Sequence, residues 1–303
     1  MKGLTGSMGL SGGLFGALAV AMLLCCAGPA SAQTNVAFPD PKLEASVRSA
    51  LGIPTGPLTA DDLGTLTALY TDWRHLTNYT GWSQIKNLSG LEYATNLTTL
   101  SLSINAISDL GPISALTRLE YLYLDYNRLS NLSPLAGLTN LSVLAVNGNP
   151  LTNLVALGNL TNLTRLNAAS CSLTNMNFVG SLTRLDSLDL RGNRMADITP
   201  GLDLTNLQYL YLDQNRLTNI SGLQDLPTLR TVSLVQNLLD LSPGSPALTV
   251  IANLQAHGIR AARCRPLRQA RCLPLPDGSV RMPGFRNGRV SGTRRSPGFV
   301  QPA

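Results

Sequence analysis

The sequence predicts an α/β solenoid, in which a short unit repeats along the chain and each copy packs against the next. Two observations carry this prediction. Leucines recur with a period of 22 residues between Leu97 and Asn237, and one polar residue recurs in phase with them. Because a unit of this size cannot bury its own leucines, neighbouring copies must stack and share a continuous core.

The second copy of the unit shows how the pattern places its side chains. Leu122 and Leu124 are two positions apart, so both point to one face of a strand, while Tyr123 points to the other. The rest of the unit returns the chain to the next parallel strand along a path that is bulkier than a strand. The stack should therefore curve, with a concave parallel β-sheet inside and short 3₁₀ or irregular segments on the convex side. The seven copies begin at Leu97, Leu119, Leu141, Leu163, Leu185, Leu207 and Leu229.

A column of polar residues follows the strands at one position in each copy. A chain that turns away from a strand leaves buried backbone groups without partners, and an asparagine side chain offers them both donors and acceptors. We therefore predict a structural ladder at this position. In the fourth copy the ladder residue is a cysteine, whose small thiol serves as a weak donor. The ladder consists of Asn105, Asn127, Asn149, Cys171, Asn193, Asn215 and Asn237.

The chain divides into four predicted parts. These are a signal peptide over residues 1–32, a helical N-terminal cap with an irregular first repeat and an aromatic insert over 33–96, seven repeats with a closing helix over 97–260, and a basic tail over 261–303. A solenoid requires caps because each exposed end of the stack would otherwise show apolar core and an unpaired strand edge.

The N-terminal cap is predicted from its helix signals. Asp40 and Pro41 are typical of a helix start, and Gly52 is typical of a helix end. A second short helix should begin after Thr59, with Asp62 completing a variant of the capping box.

An aromatic insert follows between Tyr70 and Gln84, where the chain carries more residues than one unit needs. It contains Trp73, Tyr79 and Trp82. The insert is either a loop whose rings pack against the cap or a projecting recognition loop, because solvent-facing aromatic residues favour binding.

The C-terminal part begins where the leucine period breaks. Residues 247–256 predict a closing helix, with Gly258 just past its end. In the basic tail over 261–303, Arg, Pro and Gly dominate, so the tail should lack regular structure. It is either an unstructured remnant or a segment that contacts an anionic surface.

The N-terminal segment of the chain predicts export. An apolar run over residues 13–27 is followed by Ala30, Ser31 and Ala32, which form a small-x-small cleavage site before Gln33. The run is short for a membrane anchor, and Cys25 is a poor match to a lipidated cysteine. We expect cleavage between Ala32 and Gln33 and a secreted, periplasmic or cell-surface protein without a transmembrane span. Export also allows Cys264 and Cys272 to form a disulfide.

The net charge of +6 is divided unevenly along the chain. Up to Ile259 there are 13 Lys and Arg against 16 Asp and Glu, whereas the chain from Arg260 onward has 10 Arg and one acidic residue. Because the repeats are mildly acidic, the basic composition is not a nucleic-acid signal for the whole protein, and we expect no nucleic-acid partner.

Catalytic chemistry is not predicted. The only two histidines, His75 and His257, lie near opposite ends of the stack and in no recognisable motif. The cysteines and histidines do not have zinc-site spacing, and no glycine-rich phosphate loop follows a strand. We therefore expect a non-enzymatic protein without a cofactor or metal.

The complete unit has the form Leu-x-x-Leu-x-Leu-x-x-Asn/Cys-x-Leu in steps of 22 residues. It resembles the internalin-like class of bacterial leucine-rich-repeat proteins over residues 37 to about 260. The resemblance implies a leucine-rich-repeat horseshoe or arc with a helical cap and protein recognition on the concave side. It does not identify a ligand.

The outward strand positions predict where binding occurs. Tyrosine and arginine are common at binding hot spots, and the second and sixth copies carry nearly the same tyrosines on either side of a charged middle. We predict a monomeric module that binds a protein, with a polysaccharide as the other ligand class. The competing interpretation is an envelope-associated spacer without a specific ligand. The predicted ligand-binding residues are Tyr121, Tyr123, Asp125, Tyr126, Arg165, Asp189, Arg191, Tyr209, Tyr211 and Asp213.

Overall fold

The computed structural model describes residues 34–71, 84–151, 154–201 and 203–262. These residues form one open parallel sheet of nine strands, and the order of the strands in the sheet is their order in the sequence. The strands are β1 (Ala68–Tyr70), β2 (Thr99–Ser101), β3 (Tyr121–Tyr123), β4 (Val143–Ala145), β5 (Arg165–Asn167), β6 (Ser187–Asp189), β7 (Tyr209–Tyr211), β8 (Thr231–Ser233) and β9 (Arg260–Ala262). Leu122 pairs with Leu144, its equivalent in the next unit, so the predicted solenoid is confirmed.

Three α-helices and a series of short 3₁₀ segments complete the described fold. The helices are α1 (Pro41–Leu51), α2 (Ala60–Gly64) and α3 (Pro246–Ala256). The 3₁₀ segments lie on the return paths, and most pack on the segments of the neighbouring units. They are Leu91–Tyr93, Gly111–Ile113, Ser133–Leu135, Val155–Asn159, Asn177–Val179, Thr199–Gly201 and Ser221–Asp225.

The core is a continuous column of side chains between the sheet and the return paths. Leu122, Leu124, Leu129 and Leu132 of the second unit are all fully buried, and so are the equivalent side chains of most other units. A single unit cannot enclose these leucines. Each unit is therefore stable only when it packs against its neighbours.

The polar column makes the hydrogen bonds that the turns require. The side-chain nitrogen of Asn127 donates to the backbone oxygens of Leu102 and Leu124, both at 3.0 Å. Its oxygen accepts the backbone N–H of Ile107 at 3.0 Å. Asn127 therefore ties its own turn to the preceding unit, and the other ladder asparagines follow the same pattern.

Cys171 fits the same column with fewer hydrogen bonds. Its thiol contacts the backbone oxygens of Val146 at 3.2 Å and Ala169 at 3.3 Å. Because the thiol does not replace the amide oxygen of an asparagine, the N–H of Leu151 turns to the backbone oxygen of Asn149 at 2.9 Å.

The residue before each ladder position has a left-handed backbone. The seven φ angles lie between +54° and +66° and recur once in each unit. Most L-amino acids are strained in this region, whereas glycine is not. The residues concerned are Ile104, Tyr126, Gly148, Ser170, Gly192, Gln214 and Gln236.

The caps close both ends of the described stack. The Asp40 carboxylate caps α1 by accepting the N–H of Lys42 at 3.1 Å, and Gly52 ends the helix with φ of 69°. The same carboxylate also accepts the N–H of Lys86 at 2.8 Å, which joins the cap to the first repeat. Thr59 and Asp62 form the predicted capping box of α2.

One prediction at the C-terminal end was wrong. The tail was expected to begin at residue 261, but Arg260–Ala262 form strand β9 and pair with β8. Ala261 is buried there against the closing helix α3, which begins at Pro246 after its N-cap Ser245. This strand has only three residues and no leucine, so the leucine pattern could not predict it.

Several predictions lie outside the described residues. They are the signal peptide and its cleavage site, the insert residues Trp73, Tyr79 and Trp82, and the cysteines Cys264 and Cys272. Within the described ranges, none of the helices combines the length and the hydropathy that a membrane crossing needs.

Candidate functional site

The concave face consists of the side chains that point outward from the nine strands and from the three residues that follow each strand. Two rows run across the strands in register. Tyr121 shares a row with Arg165 and Tyr209, and Tyr123 shares the next row with Tyr211. The parallel register therefore brings side chains from distant parts of the sequence onto one surface.

The aromatic half of this face lies on β1 to β3. It comprises Tyr70, Ile104, Tyr121, Tyr123 and Tyr126. Tyr126 is 62% exposed, Tyr70 51%, Ile104 43% and Tyr121 39%, whereas Tyr123 is half-buried. Most of the large exposed apolar side chains among the described residues belong to this half, so it is the strongest candidate for a binding surface.

Sequence reasoning missed Tyr70 as a site residue. Tyr70 lies in β1, in the same row as Tyr123, because Ala68 pairs with Thr99. The insert between β1 and β2 hid this relation, since it moves β1 out of phase with the leucine period. The signal that was available is Leu69, which is followed by a tyrosine in the same way as Leu122.

Tyr123 is held close to the other polar groups of the aromatic half. Burial raises the pKa of its phenol above 10.0, and Tyr70 and Tyr121 raise it further, whereas Arg165 lowers it. The Tyr123 hydroxyl therefore stays protonated at neutral pH.

Asp125 was predicted to contact a ligand, but its carboxylate is occupied by the sheet. It accepts the backbone N–H of Asn147 at 2.9 Å and the side-chain nitrogen of the same residue at 2.7 Å. The hydroxyl of Ser103 lies 3.4 Å away on the other side. Burial raises the pKa of Asp125 to about 6 despite these hydrogen bonds.

Asp125 belongs to a second set of hydrogen bonds, which we call the outer ladder: Asp125, Asn147 and Asp213. Each accepts a backbone N–H from the next unit. Asn147 accepts that of Ala169 at 2.8 Å, and Asp213 accepts that of Val235 at 2.7 Å. The recurrence of Asp or Asn two positions before the ladder asparagine was the sequence signal for it. The oxygens of these side chains therefore bond to the backbone of the next unit rather than to a ligand.

Two predicted ligand-binding residues on the other half of the face are buried. Asp189 is only 2% exposed, because it forms a two-pronged ion pair with Arg191, with distances of 2.6 and 2.9 Å. Tyr211 is 5% exposed, because the Arg191 guanidinium lies 5.4 Å above the centre of its ring. Arg191 contacts both Asp189 and Tyr211, so these two residues do not present a contact surface as predicted.

The remaining predicted residues beyond the aromatic half differ in their accessibility. Asp213 is held by the hydroxyl of Ser233, and its burial raises the pKa of its carboxyl group. Arg165 is exposed, with Asp186 as a loose partner at 3.8 Å. Tyr209 is half-buried. We call this half, from β6 to β8, the polar half, since its charged groups are paired within it.

The described residues contain no cluster of three or more His, Cys, Asp or Glu side chains that could hold a metal ion. The concave face thus offers aromatic rings, hydroxyl groups and the exposed guanidinium groups of Arg165 and Arg260, which suit recognition by contact.

A stack of parallel leucine-rich units with a helical cap and an accessible inner face defines the leucine-rich-repeat class of proteins. The family model "Leucine Rich repeats (2 copies)" matches residues 95–137, 117–160 and 183–225. The crystal structure of internalin C2 from Listeria monocytogenes is similar, with 30% identity and a TM-score of 0.62, over 72% of this chain and 97% of that one. An internalin InlF structure from the same species shows 25% identity and a TM-score of 0.60, over 78% of this chain and 75% of that one.

The chain therefore belongs to the internalin-like family of bacterial leucine-rich-repeat proteins. No curated protein sequence matches it significantly. The predicted fold class is confirmed, and it is an architecture used for protein interaction in general.

Proposed function

We propose that this protein is an exported, non-enzymatic binding module that recognises another protein through the aromatic half of its concave face. The observation that supports this proposal most directly is the exposure of Tyr70, Tyr121 and Tyr126 on one side of a rigid sheet. Exposed tyrosines that are held on strands contribute contact area with little loss of side-chain entropy, so they favour binding.

The division of the face supports a binding role over that of a spacer. A spacer requires only a soluble surface, and the polar half meets that requirement because its charged groups are paired. The aromatic half instead leaves apolar rings in contact with water, which is unfavourable unless a partner covers them. Arg165 borders this half and is exposed, so it can pair with a carboxylate of the partner.

The acidic groups of the face support a non-enzymatic role. Asp125 and Asp213 accept backbone N–H groups of the next unit, and they lie four units apart, roughly 19 Å at the usual strand spacing. That separation is too large for two carboxylates that act on one bond.

The proposal is tested by affinity capture with the purified full-length chain from its native surroundings. The wild-type chain is compared with Tyr121→Ala/Tyr123→Ala and with the control Tyr209→Ala, which removes a tyrosine of the same row in the polar half. We expect a protein partner that the double variant loses and the control retains, with similar melting temperatures for all three chains. A partner set that is unchanged in the double variant contradicts the proposal and favours the spacer.

A further inference from the structure

A residue pair on the concave face, Asn147 and Gly148, combines two structural roles in a chemically reactive sequence. Asn147 belongs to the outer ladder, and Gly148 occupies the left-handed position that follows it. No other repeat has asparagine followed by glycine at these positions. Asparagine before glycine is prone to deamidation, because glycine has no Cβ atom to hinder the attack of its nitrogen on the asparagine side chain.

Deamidation at this pair needs no reactant other than water. The backbone nitrogen of Gly148 attacks the side-chain carbon Cγ of Asn147, and the new N–Cγ bond closes a succinimide ring. The Cγ–Nδ2 bond breaks, and ammonia leaves with the proton of the Gly148 nitrogen. Water then opens the ring at either of its carbonyl carbons. The product is aspartate or isoaspartate, in which the main chain runs through the former side chain.

The folded stack holds each group that this reaction uses. The Gly148 N–H donates to the backbone oxygen of Ala169 at 2.9 Å, and the Ala169 N–H donates to Oδ1 of Asn147 at 2.8 Å. The leaving nitrogen, Nδ2 of Asn147, donates to the carboxylate of Asp125 at 2.7 Å. The attacking nitrogen must give up its hydrogen bond before it can lose its proton and turn towards Cγ. The reaction therefore requires the turn to open first.

We propose that Asn147 is a deamidation site that Ala169 and Asp125 keep unreactive in the folded stack. Opening of the turn between the third and fourth units exposes the site, and unfolding removes its protection completely. The rate of deamidation at Asn147 therefore follows the fraction of molecules in which this turn is open.

Either product disturbs the outer ladder. Aspartate at position 147 places a second carboxylate where Nδ2 now lies 2.7 Å from that of Asp125, and two carboxylates this close cannot both stay ionised. Isoaspartate lengthens the main chain before Gly148, whose backbone lies against the ring of Tyr126, since a Cβ atom there would be 2.6 Å from that ring. Deamidation should thus loosen the third unit beside the aromatic half.

Peptide mass spectrometry of the full-length chain tests the site and its protection. The chain is incubated at pH 8 in buffer and in concentrated guanidinium chloride, with Asn287, which also precedes a glycine, as the standard in the denaturant. We expect both asparagines to react in the denaturant at rates within about fivefold of each other, and Asn147 to react about tenfold or more slowly in buffer.

A matched pair of variants tests the part that Asp125 plays. Asp125→Ala releases the leaving nitrogen of Asn147 and should speed the reaction in buffer about threefold or more. Asp125→Asn retains an acceptor oxygen at this place and should leave the rate close to that of the wild type.

Two further variants test the consequence of conversion. Asn147→Asp reproduces the aspartate product, and we expect its melting temperature at pH 8 to lie about 3 °C or more below that of the wild type. Asn147→Asp/Asp125→Asn exchanges the amide and the carboxylate, keeps a hydrogen bond between them and should recover most of the loss.

Each part of the inference has an outcome that overturns it. Equal rates at Asn147 in buffer and in denaturant would show that the stack gives no protection, and a denatured chain that reacts at Asn287 alone would remove the site. Equal rates in Asp125→Ala and the wild type would remove the role of Asp125. An unchanged melting temperature in Asn147→Asp would refute the effect on the outer ladder. These measurements need no partner, so the inference and the proposed function can fail separately.

Discussion

The Asp125 carboxylate on the concave face links protonation to stability. Burial raises the pKa of Asp125 from 3.8 to about 6 in the folded chain, so the folded state holds this proton more tightly than the unfolded state does. The contribution of Asp125 to stability is therefore fully present below about pH 4 and is lost as the pH rises through about 6. Its upper limit is about 3 kcal/mol, since one pKa unit corresponds to roughly 1.4 kcal/mol.

We predict that Asp125→Asn removes this pH dependence. The amide oxygen can still accept the N–H of Asn147, and no charge is buried at high pH. Denaturant unfolding at pH 4 and pH 7 should show that the variant gains stability relative to the wild type as the pH rises. Comparison with the wild type cancels the opposite effect of Asp40 and Asp62, whose pKa values are lowered. A constant difference between the two chains across this range would contradict the raised pKa of Asp125.

Two separate conditions favour glycine at position 148. Its φ is +65°, and a Cβ atom there would lie 2.6 Å from the ring of Tyr126. We predict that Gly148→Ala lowers the free energy of unfolding by about 1–3 kcal/mol. The loss should be smaller when Tyr126 is already alanine, because only the backbone strain remains. Gly180→Ala, where a Cβ atom meets nothing within 4 Å, is the control and should stay within about 0.5 kcal/mol of the wild type.

At the scale of one turn, the ladder explains why asparagine recurs. The amide of Asn149 donates to the backbone oxygens of Leu124 at 2.9 Å and Val146 at 2.8 Å, and it accepts the N–H of Leu129 at 3.0 Å. Asn149→Ala leaves these buried groups without partners, so we predict a loss of about 3 kcal/mol or more. Cys171→Ala should lose only about 1 kcal/mol, because the thiol is a weak donor. Thermal unfolding of both variants measures the difference, and equal losses would show that the turns do not depend on the amide.

The elements that the sequence predicts well are those that depend on the period alone. The strands, the return paths and the ladder recur once in each unit, so each copy supports the interpretation of the others. Strand β9 and the position of Tyr70 were missed because they stand outside the period. The burial of Tyr211 could not be predicted either, since it depends on where the Arg191 side chain lies, and a repeat pattern specifies which face a residue is on but not what covers it.

At the scale of the whole molecule, the stack behaves as a one-dimensional array. Each unit contacts only its neighbours, so a destabilising substitution in a central unit weakens the packing of the units on both sides of it. Leu144 is fully buried in β4, between Leu122 of β3 and Leu166 of β5. A charged side chain at this position has no partner within the core, and burying it unpaired is strongly unfavourable.

We therefore predict that Leu144→Asp unfolds several units, while Val143→Asp, one residue away and facing the concave side, is tolerated. Hydrogen exchange of the full chain should show lost protection over β3 to β5 in Leu144→Asp, and circular dichroism should show a matching loss of structure. Native protection in this variant would place Leu144 outside the core. Loss of protection in both variants would mean instead that β4 tolerates no charge on either face, and the assignment of the concave face as the accessible one would fail with it.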